Sequence, residues 1–287
     1  MSGISGPGPS LRSQWLGEKL RDLRKERKMS LKYVGDYLQR DQGTISRYEN
    51  GELTVRRGDL TAMLDLFGVS DPKTRQDLER IREDAWQKDW WDQHKADLGK
   101  EFINMPWLES RAKRICSYQH MVVEGLLQTR GYAEAVIRNA EREGPGEDQI
   151  NRWIGLRMDR QQILHREDPA QVSVLLEESV LCRRIGGVAV WAEQLQHLLE
   201  QAERSNIELR VMPFEHAPHA GHQGSFTLFE MPDPYPEVAY VDTLSGPLFI
   251  EEPTVQRFSR AWEDLYEKAM GPRRSEALIT RYLEEIR

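Results

Sequence analysis

The sequence is poor in cysteine and has no long apolar run. Cys116 and Cys182 are its only cysteines, and neither belongs to a Cys-x-x-Cys pair. We therefore expect buried free thiols instead of a disulfide framework or a thiolate zinc site. No stretch approaches the roughly 18 consecutive apolar residues of a membrane-spanning helix, and the N-terminus lacks the basic start and apolar core of a signal peptide. These absences predict a cytoplasmic protein without membrane association.

Enzyme motifs are also missing. No G-x-S-x-G, H-E-x-x-H, Walker or Rossmann pattern occurs, so we expect neither an enzyme nor a cofactor. One cluster keeps a metal-dependent hydrolase with a DNA-binding module open as an alternative, because His216, His219 and His222 lie beside Glu215. Their spacing in a loop fixes no tetrahedral geometry. We therefore favour a solvated or partner-contacting loop without a metal.

The net charge of −7 is distributed unevenly along the chain. Residues 1–70 hold 12 Lys and Arg against 9 Asp and Glu, a net charge of +3, whereas the remaining residues carry −10. Such an asymmetry suits a DNA reader joined to a domain that avoids phosphate. With 39% hydrophobic residues, a chain of 287 residues can form two compact domains.

Apolar spacing predicts a helical domain over residues 11–70, after a Gly- and Pro-rich lead of residues 1–10 that we expect to be disordered. The first helix carries Leu16 and Leu20 at helical spacing. Ser30 is suited to cap the second helix, and a fourth runs from about Gly58 to Phe67. The second helix is expected to turn four side chains toward the core, namely Tyr33, Val34, Tyr37 and Leu38.

The third helix is predicted from Gln42 to about Glu49. Asp41 can cap its start, and Asn50-Gly51 ends it, as a C-terminal Gly often does. Ser30 to Gly51, SLKYVGDYLQRDQGTISRYENG, resembles the helix-turn-helix of the Xre family, named for phage repressors. The match has no gap, and the run from Ile45 to Gly51 fits at every characteristic position. Four positions depart from the family pattern: Leu31 for Gln, Gly35 for Ala, Gln39 for the turn Gly and Arg40 for an apolar residue.

The resemblance implies DNA binding, and the residues themselves suggest how. A helix reads the major groove when apolar residues hold it rigidly and polar residues point outward. We expect Ile45 to anchor the third helix, and Gln42, Thr44 and Arg47 to lie on its exposed side. Gln can pair with adenine and Arg with guanine, whereas Gly43 offers no side chain, so direct readout is expected to be sparse. Gln39 must accept a left-handed backbone.

Contacts to the DNA backbone are expected at the edges of the motif. Thr44, Ser46 and the backbone near Asn50 are suited to phosphate. Arg56 and Arg57 follow the motif and are candidates for the sugar-phosphate edge or the minor groove, although two adjacent loop arginines are equally compatible with simple solvation. One module with few base contacts gives little specificity, so we expect a homodimer on an operator of double-stranded DNA with inverted-repeat symmetry.

Residues 71–106 are predicted to be a helical connector. Asp71-Pro72 is a strong helix start, and the charged helix is expected to reach about Leu98. Trp86 and Trp90 are four apart on one helical face, where core packing, a domain wedge or a dimer seam are all compatible with their spacing.

Residues 107–287 are predicted to be a mixed α/β domain. A helical stretch is expected over residues 111–140, resuming after a break at 144–146 to about Arg166. Beyond Pro169 short β-rich segments at 172–178, 207–214, 225–231 and 237–244 predict strands of a small sheet. Helices are expected at 189–204, 253–269 and 273–286. The fold class is therefore α+β, with an all-α helix-turn-helix domain, a helical connector and a mixed C-terminal domain.

The C-terminal domain resembles that of a large actinobacterial subgroup of Xre regulators, often labelled antitoxin-like. Matching pieces include EGLLQT at 124–129, RQQIL at 160–164 and VMPF at 211–214. The resemblance implies a regulator partnered by a small protein encoded nearby, and it implies no known ligand. From the residues alone, Gln128 is expected to be a satisfied turn residue. The same regulator sensing a small molecule remains an alternative.

Overall fold

Contacts between residues divide the chain into two units. The first is Met1–Met105 with Asp233–Tyr235, and the second is Pro106–Pro232 with Pro236–Arg287. The structure, a computed structural model, describes residues 9–87, 91, 104–140, 146–216 and 218–286. Most of the predicted disordered lead, and connector residues 88–90 and 92–103, lie outside the described residues. Within those ranges no helix has the length and apolar character needed to span a membrane.

Polar caps define the helices of the first unit. Ser30 Oγ accepts from the Tyr33 N–H at 3.1 Å, and Asp41 Oδ1 accepts from the Thr44 N–H at 2.9 Å, which confirms both predicted caps. Gln39 has φ 53° and ψ 41°, so the predicted left-handed turn residue is confirmed as well. The helices between residues 9 and 87 are α1 (Leu11–Glu26), α2 (Leu31–Leu38), α3 (Gln42–Glu49), α4 (Arg57–Leu66) and α5 (Pro72–Trp86).

The core of the first unit draws apolar side chains from all five helices. Helix α5 packs against α1 and α4, and its Leu78 and Ile81 are buried. The start of the predicted connector therefore packs onto the preceding helices. Other buried members are Leu16, Leu20, Val34, Ile45, Leu60, Met63 and Phe67.

The prediction that Tyr33 and Tyr37 face the core is wrong, because their side chains are 55% and 54% exposed. The packed side of α2 is instead formed by Val34 and Gly35. A Cβ on Gly35 would lie 2.8 Å from the carbonyl oxygen of Arg40, so the backbone itself makes this contact. Because Gly35 lies on the packed side of α2, both tyrosines lie on the side that faces solvent. Leu38 is half-buried.

The connector helix is shorter than predicted. Helix α5 ends at Trp86, and Gln87 has an extended backbone, so a continuous helix to Leu98 is wrong. Trp86 is half exposed, and its indole N–H donates to the carbonyl oxygen of Val55 at 2.9 Å. Trp90, its expected neighbour on the same face, lies outside the described residues.

A mixed sheet forms the centre of the second unit. Strands β1, β2 and β3 are parallel, and β4, β5 and β6 continue the sheet in antiparallel fashion. The order of the six strands in the described ranges is β3-β2-β1-β4-β5-β6. This confirms the α+β class. The strands are β1 (Arg114–Gln119), β2 (Gln171–Glu177), β3 (Ile207–Met212), β4 (Phe226–Glu230), β5 (Val238–Val241) and β6 (Leu248–Ile250).

Helices follow and cover the strands in the rest of the chain. The three C-terminal predicted helices match α10, α11 and α12 to within two residues at each end. Helix α11 packs on one sheet face, where Cys116, Tyr118 and Leu228 meet Trp262 and Leu265. The helices are α6 (Asn104–Arg111), α7 (Arg130–Ala140), α8 (Glu147–Arg160), α9 (Glu178–Leu181), α10 (Val188–Ala202), α11 (Val255–Lys268) and α12 (Pro272–Glu284).

The helical prediction for residues 111–140 is wrong up to Thr129, because Arg114–Gln119 forms strand β1 and α7 begins only at Arg130. This strand lies between β2 and β4, and its residues from Ile115 to Tyr118 are buried on both faces of the sheet. A strand buried on both faces has no polar alternation to distinguish it from a buried helix. The three-residue strand β6 was also not predicted.

Candidate nucleic-acid interface

Helix α3 contacts α1 through the main chain at Gly17. A Cβ on Gly17 would lie 2.6 Å from the carbonyl oxygens of Tyr48 and Glu49, so only glycine permits this approach. Ile45, the predicted anchor, is completely buried, and Tyr48 is buried with it. These contacts hold α3 rigidly, as groove reading requires.

An ion pair fixes the C-terminal end of α3 to α1. The Nε–H and Nη2–H groups of Arg24 donate to the two carboxylate oxygens of Glu49 at 2.6 and 2.9 Å. The Glu49 side chain is 3% exposed, and its hydrogen bonds raise the pKa of Arg24 above the ordinary value. Arg21 Nη2 donates to the Glu49 carbonyl oxygen at 3.0 Å. The bidentate geometry sets both the position and the direction of the helix end.

A second polar contact joins the turn to α4. Tyr48 Oη donates to Asp59 Oδ2 at 2.7 Å, and Arg40 Nη2 lies 3.3 Å from Asp59 Oδ1. Burial, followed by the hydrogen bond to Asp59, raises the pKa of Tyr48 to about 12. Arg40 stands where the Xre pattern has an apolar residue. Here an ion pair to α4 replaces the apolar contact of the turn.

The outward face of α3 carries Gln42 and Arg47, both exposed as predicted. Thr44 was expected beside them, and this is wrong, because Thr44 is only 8% exposed. Its hydroxyl donates to Asp41, a bond that lowers the pKa of the Asp41 carboxyl. Arg47 Nη2 donates to Thr44 Oγ1 at 3.3 Å. Thr44 therefore orients Arg47 from within the helix.

Ser46 and Asn50 differ in how freely they can meet phosphate. Ser46 is half-buried, and among the described residues its hydroxyl has no hydrogen-bond partner. Asn50 is exposed at the C-terminal cap of α3, where Arg21 Nη2 donates to its side-chain oxygen. The Asn50 Nδ2 group donates weakly to Glu52 Oε1 at 3.4 Å.

The two arginines after the motif are not equivalent. Arg56 is exposed at the N-cap of α4 and forms no ion pair with any described carboxylate. Arg57 Nε lies 3.0 Å from Glu79 Oε1, although its side chain is 77% exposed. Part of the charge of Arg57 is thus compensated within the unit, whereas that of Arg56 is not.

Exposed aromatic side chains on α2 were missed as interface candidates. Tyr33 and Tyr37 lie one helical turn apart, with the exposed Lys32 beside Tyr33. Tyrosine hydroxyls and lysine ammonium groups both donate to phosphate oxygens. Gly35 is the residue from which this exposure could have been inferred. Its lack of a side chain indicates the packed face of α2, and both tyrosines lie on the opposite, exposed side.

Other predicted residues lie in the second unit. His219 Nε2 lies 3.0 Å from Glu177 Oε1, and its Nδ1 accepts from the Gly221 N–H at 3.1 Å. Among the described residues, in this loop and elsewhere, no group of three His, Cys, Asp or Glu side chains is placed to hold a metal ion.

Two further expectations concern Gln128 and the thiols. Gln128 Nε2 donates to the Val123 carbonyl oxygen at 2.7 Å, and its Oε1 accepts from Arg157 at 2.8 Å, which confirms a satisfied turn residue. Cys116 is buried, as expected, and burial raises its pKa to about 12. Cys182 is exposed, so its predicted burial is wrong.

Comparison with known families covers both parts of the chain. A model described as a helix-turn-helix domain matches residues 15–78, and this match supports a DNA-binding regulator. A second model, described as a domain of unknown function (DUF5753), matches residues 102–281. No curated protein and no solved structure matches the chain. Since the second model covers more than half of the 287 residues, the chain belongs to the DUF5753 family.

Proposed function

We propose that the protein is a cytoplasmic, sequence-specific transcriptional regulator of the Xre type that places α3 in the major groove of operator DNA. The observation that carries this proposal is Arg47, which is exposed on a helix anchored by Ile45 and forms no ion pair with a described carboxylate. An arginine in this setting is available for the O6 and N7 atoms of guanine. Gln42 is the second base-reading side chain.

The distribution of ion pairs supports the same function. Arg24 and Arg40 are paired with carboxylates and stabilise the unit. Arg47, Arg56 and Lys32 form no ion pair with described carboxylates, so their charges remain available to attract phosphate. In the proposed interface, the backbone contacts come from Ser46, Asn50, Arg56 and Arg57, and Thr44 acts by positioning Arg47.

The domain arrangement that we propose assigns DNA binding to residues 11–70, the connector to 71–106 and regulation to 107–287. The regulatory domain mediates homodimerisation and binds a small protein encoded nearby. Exposed apolar side chains in the second unit support a protein-binding surface, since water-exposed apolar groups are those a partner would cover. They are Met121, Val188, Phe214, Leu244 and Leu248.

In vitro selection from a random double-stranded DNA library tests this proposal with the full chain. Enrichment of an inverted repeat with half-sites about one helical turn apart, protected together in a footprint, is expected. Recovery of no common sequence would overturn the specific regulator. A single asymmetric half-site bound by monomer would overturn the homodimer while keeping DNA binding.

A further inference from the structure

A cavity of about 380 Å³ lies between the sheet and α11 in the second unit. Strands β4, β5 and β6, helix α11 and the loop before β4 form its walls. Small-molecule sites in proteins typically have volumes of about 300–1,000 Å³, so the cavity is large enough for a small organic ligand. Its walls are mainly apolar, with contributions from Ala220, Phe226, Val241, Ile250, Phe258 and Ala261.

The apolar core of the second unit continues into this cavity without filling it. Val241, Ile250 and Phe258 pack against the buried cluster around Tyr118 and are only partly buried. Phe226 meets Phe258 edge to face with ring centroids 5.4 Å apart. The cavity therefore exposes an apolar surface whose contact with water would be removed by a hydrophobic ligand.

One cation stands beside this apolar surface. Among the described residues that line the cavity, the charged side chain is Arg257 of α11. It is exposed and forms no ion pair with any described carboxylate. The neutral polar lining comes from Gln223, Ser225 and Thr254. Ser225 Oγ is already engaged by His120, with 2.7 Å to the ring Nδ1. Arg257 is thus the group best able to recognise a charged ligand atom.

We propose that this cavity binds a hydrophobic monocarboxylate. The apolar chain lies against Phe226 and Phe258, and the carboxylate accepts hydrogen bonds from the Arg257 guanidinium, whose planar donors match two carboxylate oxygens. Binding here does not depend on the DNA-binding function proposed above. The cavity would be the ligand-binding site of a regulator that senses a small molecule.

Isothermal titration calorimetry of the full chain with octanoate and with uncharged 1-octanol tests the site. Octanoate is expected to bind one site per chain about tenfold more tightly than octanol, the ratio that one charge-assisted hydrogen-bonded contact supplies. Arg257→Gln should remove this preference and leave octanol binding unchanged. Arg260→Gln removes an exposed arginine that is not part of the cavity lining and should change neither ligand's affinity. Ala261→Phe should fill the cavity and abolish binding of both ligands.

Each result decides the proposal. Absence of saturable heat at millimolar octanoate overturns it, as does an equal loss of octanoate binding in Arg257→Gln and Arg260→Gln. Retained binding in a folded Ala261→Phe variant also overturns it. If thermal unfolding shows that Ala261→Phe does not fold, the two arginine variants still separate a charge-specific site from general adsorption. No DNA is used, so failure here is distinct from failure of operator binding.

Discussion

Glu49 at the end of α3 accepts two hydrogen bonds from Arg24 of α1, and both side chains are largely withdrawn from water. Removing one partner of such a pair leaves the other charge partly buried and uncompensated. Glu49→Ala should therefore lower the free energy of unfolding by about 3 kcal/mol, measured by urea unfolding followed by circular dichroism. Glu52→Ala, an exposed carboxylate three residues later, should leave the stability nearly unchanged. Equal stability of both variants would show that the pair contributes nothing.

Gln39 occupies a left-handed backbone conformation that is unfavourable for a residue with a Cβ. Gln39→Gly should raise the free energy of unfolding by up to about 1 kcal/mol, since glycine adopts this conformation without steric cost. The urea midpoint of the full chain measures the gain. Asp36→Gly in the same helix has a right-handed helical backbone and should give no gain. A decrease for Gln39→Gly would mean that the Gln39 side chain itself stabilises the turn.

Arg47→Ala should reduce discrimination between operator and unrelated DNA while leaving the fold intact. The expected loss is about 1–3 kcal/mol of specific binding free energy, the contribution of a bidentate arginine–guanine contact. Gel-shift titrations on the selected operator and on a scrambled duplex measure the ratio. Lys73→Ala removes an exposed cation outside the motif and should preserve the ratio. Unchanged discrimination in Arg47→Ala would remove Arg47 from the reading residues.

Pairing of two modules is expected to supply most of the operator affinity. The isolated helical domain should therefore bind operator weakly, and fusion to an unrelated dimeriser should restore binding through effective concentration. Because Leu78 and Ile81 are buried, residues 1–70 alone should be less stable than residues 1–87. Gel shifts of the two forms and the full chain make the comparison. Tight binding by monomeric 1–87 would contradict the role of pairing.

Local signals predicted the first unit better than the second. Ser30, Asp41 and Gln39 act on their immediate neighbours in the chain, so their roles can be inferred from the residues beside them. The same reasoning gave a wrong result at Thr44. Its position in the first turn of α3 predicted an exposed side chain. Its hydroxyl is drawn inward by the capping carboxylate of Asp41. A hydrogen bond to the capping residue three positions earlier thus accompanies the burial of Thr44.

The errors in the second unit come from contacts between distant residues. Tyr118 pairs with Leu175 of β2 and Phe226 of β4, and this pairing, more than its local sequence, makes residues 114–119 a strand. Propensity reasoning over a short window has no access to such partners. The Arg257 cavity was not predicted for the same reason, because its walls are assembled from four separate segments of the chain.

The main-chain contact at Gly17 lies apart from the residues of α3 that we propose to read DNA. The docking of α3 on α1 and the proposed reading of bases therefore depend on different residues. Any side chain larger than hydrogen at position 17 would displace the helix, whereas Gln42 and Arg47 project away from that contact. Codons 42 and 47 can therefore change without altering how α3 docks on α1. Under the proposed function, such a helix is open to divergence: a duplicated copy of the gene would acquire a new operator through a few base changes and retain the same folded module.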